Sequence, residues 1–228
     1  MISLIPVTGV GEIAAGDEIA EHILAHAALA DYDVLVVTQK AVSKAEGRLA
    51  AVDGPDGKRR LIGTESRRVL RERGELVISE TRHGFVCANA GVDLSNVADG
   101  WASLLPVDPD RSARHIRDAL RARGGVETAV IISDSFGRPW RRGITDVAIG
   151  CAGIAAVVDL RGTPDAGGRP LAATEVCVAD ELAAAAELAK GKSSGVPAVI
   201  VRGVDRSWFR ESSVRAEVVR AYEEDLFR

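Results

Sequence analysis

Three short, mostly apolar segments limit what this chain can fold into, because each predicts a strand covered on both faces. They are residues 33–38 (DVLVVT), 129–132 (AVII) and 198–201 (AVIV), and unbroken apolar strands are typical of sheets buried between helices. Helix-like segments at 17–30, 111–123 and 180–189 alternate with them. The alternation predicts an α/β fold with a mixed sheet, either as one compact unit or as two interwoven lobes.

The other elements follow from local patterns. Asp17 is a candidate N-cap of the first helix, and the DGPDG cluster predicts a surface loop or hairpin over 50–63. Residues 64–73 predict a helix capped by Thr64, whereas 75–89 contain two strand-like segments around a turn at 82–84. We further expect strands at 3–7 and 155–160, loops at 8–16 and 162–170, and a closing helix at 212–226.

Composition excludes several functions. The net charge of −4 argues against binding to nucleic acid or to an anionic membrane. Cys87, Cys151 and Cys177 stand singly in apolar stretches, which favours buried thiols over a zinc site, and the four histidines form no metal motif. No signal peptide or membrane-spanning run is apparent, so we expect a soluble, cytoplasmic protein whose 228 residues form a single domain.

Residues 129–150 carry the most specific chemistry. The apolar run ends at Asp134 and Ser135, and the turn-forming Gly137 and the second aspartate, Asp146, follow. Three arginines, Arg138, Arg141 and Arg142, lie between them. Ligands of α/β sheets bind where strands end, and oxygen ligands beside guanidinium groups suit a metal ion bound together with phosphate.

A second polar cluster, ANAGVDLSN over 88–96, follows another predicted strand. By itself it is explained as a turn, because Asn, Asp, Gly and Ser all favour turns. However, Asp93 and Asp134 then come from two different strand ends. Two such carboxylates are what a divalent cation bridging nucleotide phosphates requires.

Two lysine-containing segments are more ambiguous. Lys44 follows the 33–38 strand and is a candidate to neutralise phosphate, although a solvated basic loop is the plainer interpretation. The segment 190–195 (KGKSSG) resembles a Walker A loop, but Ala186 stands where its first glycine should be. A helix C-cap explains that segment, which could still line a phosphate or base pocket through its backbone.

Together these blocks resemble the coenzyme F420-0:L-glutamate ligase family. The stretches VTQKAVSKAEGR, ANAGVDLSN, SDSFGRPWRRGITDVAIG, DLRGTPDAGGRPL and GVPAVIVRG occur in the family's order and cover essentially the whole chain. The resemblance is to the stand-alone ligase, without the nitroreductase-like domain of the fused forms. It implies an α/β intertwined homodimer that adds L-glutamate to F420-0 using GTP and Mg²⁺ or Mn²⁺, with potassium often stimulatory.

The resemblance also implies site residues. It puts Asp93, Asp134 and Ser135 on metal-binding positions. It puts the guanine nucleotide on Val10, Gly11, Glu12, Ile13, Gln39, Lys44, Asn96, Lys190, Gly191, Lys192, Ser193, Ser194, Gly195, Val196 and Pro197. With Lys44, Arg138 and Arg142 are our candidates for offsetting charge during phosphoryl transfer.

One residue departs from the family pattern. Lys192 stands where we expect an acidic or amide metal ligand. Either one metal loses a ligand, or Lys192 contacts phosphate instead. Two other functions therefore stay open: a ligase of the same chemistry for another carboxylate acceptor, and a non-catalytic nucleotide- and metal-binding module.

Overall fold

A computed structural model describes residues 1–226, and its centre is a five-stranded mixed sheet. The strands are β1 (Ser3–Val7), β2 (Val34–Thr38), β3 (Leu49–Ala51), β4 (Ser66–Arg73), β5 (Leu76–Thr81), β6 (Val86–Ala88), β7 (Trp101–Ser103), β8 (Ala129–Arg138), β9 (Arg141–Ala152), β10 (Val158–Asp159), β11 (Glu175–Val176) and β12 (Ala198–Arg202). The helices are α1 (Ile19–His26), α2 (Gln39–Ala45), α3 (Gly57–Glu65), α4 (Pro109–Gly124), α5 (Val178–Lys190) and α6 (Val214–Glu217).

The order of the central sheet is β1-β12-β2-β8-β9. β2 and β8 are parallel, and β12 runs antiparallel to both of its neighbours, β1 and β2. β1, β2 and β8 therefore point the same way, and their carboxyl ends share one edge of the sheet. The loop that leads into β12 lies at that same edge.

The apolar strands bury both faces of this sheet, as predicted. In β2, Leu35 and Val37 face one core, into which α1 and α4 pack, while Val34 and Val36 face the other core, which α5 covers. A third, smaller core includes Ile62 of α3 and lies beside the antiparallel sheet β4-β5-β6. None of the helices in the described part of the chain has the length and apolar character needed to span a bilayer.

The α/β class and the mixed sheet are confirmed, as are the strands at 3–7, 33–38 and 198–201 and the helices at 111–123 and 180–189. The strand pair over 75–89 is also confirmed as β5 and β6. The first helix is shorter than predicted, and Asp17 is not its N-cap. Its carboxylate instead accepts a hydrogen bond from the backbone N–H of Ala14 at 2.9 Å, inside the preceding loop.

Two predictions between 50 and 73 are wrong. Residues 57–65 form α3, because Ile62 has a core to pack against. The predicted helix at 64–73 is β4, which pairs with β5 across a turn at Gly74, where φ is +57°. Pairing along the whole strand outweighs the weak helical preference of its arginines and leucine.

The region after Asp134 also differs from the prediction. β8 continues to Arg138, so Gly137 lies inside the strand, and Trp140, with φ of +58°, forms the turn into the unpredicted strand β9. Residues 155–160 form a strand over Val158–Asp159 alone. The N–H of Ala155 donates to the carbonyl of Trp208 at 2.7 Å, so the C-terminal segment takes up hydrogen bonds that a neighbouring strand would otherwise make.

The closing helix predicted over 212–226 is also wrong. Its helical part is the single turn α6, which Ser213 caps by accepting a hydrogen bond from the N–H of Ala216. A 3-10 turn follows at Tyr222–Glu224. The segment is fixed instead by long-range contacts, because the buried Asp110 of α4 accepts from the N–H groups of Val214 and Arg215.

Candidate functional site

A cavity of about 770 Å³ lies at the sheet edge where β1 and β2 end and where β8 continues beyond them, so Asp134 and Ser135 line it from within the strand. Its walls come from the loop after β1, from α2, from the segment after β6, from the β8–β9 hairpin and from the loop before β12. Phe136 and Ile144 give the hairpin side an apolar surface. The cavity is therefore at the position where α/β sheets bind ligands.

Asp134 is the most perturbed acid of the cavity. Burial, together with the neighbouring carboxylates of Asp146 and Asp93, raises its pKa to about 7, although the N–H of Ser135 acts in the opposite direction. Among the residues that the structure describes, Asp134 forms no salt bridge. Its carboxylate is therefore available to bind a cation.

Asp146 lies opposite Ser135 in the β8–β9 ladder, and its side chain is 2% exposed. It accepts hydrogen bonds from Ser133 at 2.9 Å and from Ser135 at 2.6 Å. It also pairs with the ammonium groups of Lys190 at 2.7 Å and Lys192 at 3.1 Å. Burial by itself would raise the pKa of Asp146, but the two lysines hold it well below its usual range.

Lys190 is the last residue of α5, and Lys192 follows the C-cap residue Gly191, where φ is +65°. Lys190 is 5% exposed, whereas Lys192 is 51% exposed at the cavity wall. Burial acts to lower the pKa of Lys192, but its contacts with Glu187 and Asp146 raise it above the usual value. Both carboxylates thus keep Lys192 charged.

On the opposite wall, Asp93 is paired with Lys40 at 2.8 Å, and Lys40 also donates to Ser95 at 2.6 Å. Burial raises the pKa of Asp93, but Lys40 and the N–H of Ser95 lower it by more. Asp93 follows the left-handed turn at Asn89, Ala90 and Gly91, where φ lies between +52° and +73°. This left-handed backbone conformation costs free energy for Asn and Ala, and strained residues of this kind are often found at ligand-binding sites.

Lys44 of α2 forms an ion pair with Glu12 of the loop after β1. Its side chain is mostly buried, whereas that of Glu12 is largely exposed. Lys44 is therefore the fixed member of the pair, and Glu12 can move away when a ligand arrives.

The charges in the cavity nearly cancel, because the raised pKa of Asp134 leaves that carboxyl group only partly ionised near pH 7. Five carboxylates line it, against four lysines. They are Glu12, Asp93, Asp134, Asp146 and Glu187, with Lys40, Lys44, Lys190 and Lys192. A polyanion such as a nucleoside triphosphate is expected to enter such a cavity only together with added cations.

Known proteins closely match this chain. The family model for F420-0:gamma-glutamyl ligase matches residues 9–203. The chain belongs to this family. It is similar to the coenzyme F420:L-glutamate ligase of Methanothermobacter thermautotrophicus, with 43% identity over all of this chain and 99% of the relative. The ligases of the same name from Methanopyrus kandleri and Methanocaldococcus jannaschii are 41% and 39% identical, over 95% and 90% of this chain and 94% and 88% of the relatives.

Most positions that the ligase family resemblance implies line this one cavity. They are Gly11, Glu12, Ile13, Lys44, Asp93, Asn96, Asp134, Ser135, Lys190, Gly191, Lys192, Ser193, Gly195, Val196 and Pro197. They come from five separate parts of the chain. The fold thus brings together residues that sequence alone could only group by resemblance.

Five predicted site residues lie outside the cavity lining. Val10 is buried in the core, and Gln39 is buried with its amide donating to Ser43 at 2.7 Å and to the carbonyl of Leu104 at 3.2 Å. Ser194 donates to the carbonyl of Lys190. Arg138 and Arg142 are exposed beyond the cavity on the β8–β9 hairpin, where Arg138 donates to the carbonyl of Arg142 at 3.2 Å.

Lys40, Asp146 and Glu187 are the charged residues of the cavity that we did not select from the sequence. Asp146 carried a usable signal, because it is an aspartate inside an apolar strand-like run, and a buried charge needs partners. No sequence pattern pointed to Glu187, since acidic residues are common on alanine-rich helices. Cys87 also lines the cavity, but burial and the charge of Asp134 raise its pKa to about 12, so it stays a thiol.

The donors fit a metal ion bound with a nucleotide better than a metal ion alone. Within residues 1–226, no three His, Cys, Asp or Glu side chains are grouped as a metal site. Mg²⁺ in phosphoryl-transfer sites takes one or two carboxylates, and phosphate and water complete its shell. Asp134, with its unpaired charge, and Asp93 can supply those carboxylates.

Proposed function

We propose that this protein is a GTP-dependent ligase that joins L-glutamate to the carboxylate of coenzyme F420-0, in coenzyme F420 biosynthesis. One observation carries the proposal. The unpaired Asp134 lines one large cavity together with Asp93 and the lysine-bound Asp146, in a chain that belongs to this ligase family. The three relatives named coenzyme F420:L-glutamate ligase align with 90% or more of the chain, which supports the same activity.

The reaction must activate a carboxylate before an amide can form. In our proposal, the acceptor carboxylate attacks the γ-phosphorus of GTP, the bond to the β-phosphate oxygen breaks, and GDP leaves. The amine of glutamate then attacks the acyl phosphate carbon, inorganic phosphate leaves, and the nitrogen loses a proton. Phosphoryl transfer of this kind depends mostly on positioning and on neutralising charge.

The cavity residues suit those tasks. Lys44 and Lys192 are placed to neutralise phosphate, and the backbone of residues 190–197 and 11–13 is available to the guanine nucleotide. Asp93 and Asp134, with the Ser135 hydroxyl nearby, would hold Mg²⁺ or Mn²⁺, which would supply further charge neutralisation when bound. Arg138 and Arg142 lie beyond the cavity, where we propose that they meet the phosphate in the tail of F420-0. The resemblance also supports a homodimer stimulated by potassium.

The test is to incubate the protein with F420-0, GTP, Mn²⁺ and L-glutamate and to measure the product mass. We expect a mass gain of one or more glutamate residues, with GDP and phosphate released. Asp134→Asn should lower the rate by about 100-fold or more, whereas Lys58→Gln, outside the cavity, should not change it.

Other outcomes point to the other functions. GTP binding without any product would support a non-catalytic nucleotide-binding module. GTP turnover that appears only with a different carboxylate acceptor would support a ligase of the same chemistry with another substrate. Near-normal activity of Asp134→Asn at saturating Mg²⁺ would refute the metal assignment.

A further inference from the structure

Lysine is used selectively in this chain. The sequence has five lysines against 24 arginines, and four of the five line the cavity. The ion pairs of Asp33 and Glu217, away from the cavity, are made by Arg202 and Arg210 instead. A lysine ammonium is a compact point charge, whereas a guanidinium is a broad planar fork, so the two are not interchangeable.

Lys190 and Lys192 both pair with Asp146, but the side chain of Lys190 is buried and that of Lys192 is half exposed. The ammonium of Lys190 is enclosed and has three partners: Ser133 at 3.0 Å, Asp146 at 2.7 Å and Glu187 at 3.3 Å. Hydrogen bonds to Ser133 and Asp146 and the ion pair with Glu187 fix it as a permanent counter-charge for Asp146.

Lys192 is held differently. Its ammonium contacts oxygens from three separate elements: the Ser135 hydroxyl of β8, Asp146 of β9 at 3.1 Å and Glu187 of α5 at 2.7 Å. About half of the side chain faces the open cavity. This set of a hydroxyl and two carboxylates is the environment that a hard metal ion takes in proteins.

We propose that Lys192 is a built-in cation that takes the place of a second divalent metal ion. Its ammonium fills the oxygen cage of Ser135, Asp146 and Glu187 and donates to a phosphate of the bound nucleotide from its open side. The cavity then binds a single exchangeable divalent ion per nucleotide, at Asp93 and Asp134. This inference rests on the proposed function, because it requires a nucleoside triphosphate in the cavity.

The charges support this arrangement. Phosphoryl-transfer sites commonly place two metal ions on the phosphates. In this cavity the oxygen cage of Ser135, Asp146 and Glu187 already holds the positive charge of Lys192. If Lys192 turns toward a phosphate, Lys190 keeps Asp146 paired. The Oε2 atom of Glu187 is buried without a hydrogen bond and has only the longer contact with Lys190. Once Lys192 is removed, Glu187, Asp146 and Ser135 are available to a second metal ion.

The test counts metal ions by equilibrium dialysis, with the protein in excess over a non-hydrolysable GTP analogue. Retained nucleotide and retained Mn²⁺ are measured together for the wild type, Lys192→Gln, Lys192→Arg and Lys58→Gln. We expect one Mn²⁺ per retained nucleotide in the wild type, in Lys192→Arg and in Lys58→Gln. We expect two in Lys192→Gln, whose amide oxygen joins the vacated cage.

The outcomes separate this inference from the proposed function. If the wild type retains no nucleotide, the proposed function and this inference both fail. If it retains nucleotide with two Mn²⁺, or if folded Lys192→Gln still retains one, the inference alone is refuted. Because Lys192 is half exposed, its variants should still fold, which a cooperative urea unfolding transition checks, and Lys192→Arg checks that charge, not shape, sets the count.

Discussion

Replacing Asp134 by asparagine should stabilise the free protein at alkaline pH even though it removes activity. In the folded chain the Asp134 carboxyl holds its proton up to a pH of about 7, because burial and the charges of Asp146 and Asp93 disfavour ionisation. In the unfolded chain it ionises near pH 4. The stability that this group contributes is therefore fully present at low pH and is lost as the pH rises through 7. The asparagine side chain keeps the shape of the aspartate without its charge.

The magnitude follows from the pKa. Moving the pKa of an aspartate from 3.8 to about 7 corresponds to roughly 4 kcal/mol of unfolding free energy, at about 1.4 kcal/mol for each tenfold change in the ionisation constant. About two thirds of that falls above pH 5. Because Asp134 faces an open cavity, water and ions screen the repulsion, and we expect about half of the part that falls above pH 5, roughly 1–1.5 kcal/mol.

The assay is urea unfolding of the wild type and of Asp134→Asn at pH 5 and at pH 8, without metal or nucleotide. The free energy difference between variant and wild type should grow by the stated amount between the two pH values. Asp159→Asn is the control, since Asp159 lies outside the cavity, its pKa is lowered by Arg161, and its loss should bring no such gain between pH 5 and pH 8. An unchanged difference between pH 5 and pH 8 would refute the claim that Asp134 is an unpaired, repelled carboxylate.

Three further substitutions test other parts of the cavity. Asp146→Asn leaves the buried Lys190 without its main partner and should cost about 3 kcal/mol of unfolding free energy in urea; a loss below about 1 kcal/mol would contradict a buried ion pair there. Gly91→Ala places a Cβ 2.6 Å from the side chain of Leu105 at a φ of +73° and should cost about 2 kcal/mol or more, seen as a lower melting temperature. Lys44→Gln should weaken binding of a GTP analogue by about tenfold in calorimetry, and an affinity equal to that of Lys58→Gln would exclude a phosphate contact.

The central sheet could be predicted because its strands are apolar on both sides. Exposure of segments such as AVII and AVIV to water would cost free energy, so their burial can be predicted without knowing the rest of the fold. The hairpin strands carried no such signal. β4 contains four arginines in eight residues, and its pairing with β5 depends on the turn at Gly74 and not on its own composition. Sequence patterns predict burial well and long-range pairing poorly.

The site shows the same division. Asp93 and Asp134 were identified because each follows a predicted strand, and the fold does place both on the wall of one cavity. The partnership of Asp146 with Lys190 and Lys192 spans more than 40 residues and depends on the register of β8 against β9 and on where α5 ends. No local pattern contains that information. Gln39 lies in sequence between Thr38 and Lys40, which line the cavity, but its own amide donates hydrogen bonds to Ser43 and Leu104 in the core.

The pairing of charges in the cavity means that nucleotide and metal should affect each other's affinity. Lys40, Lys44, Lys190 and Lys192 are each in contact with a carboxylate in the free protein. A phosphate that takes one of these ammonium groups leaves a carboxylate behind it unpaired, so entry of the nucleotide alone exchanges one ion pair for another and gains little. A divalent cation at Asp134 changes this balance, because it removes the repulsion that raises the Asp134 pKa and adds attraction for the phosphates. Nucleotide and metal should therefore bind with positive coupling, and by linkage the nucleotide must raise the metal affinity by the same factor as the metal raises that of the nucleotide.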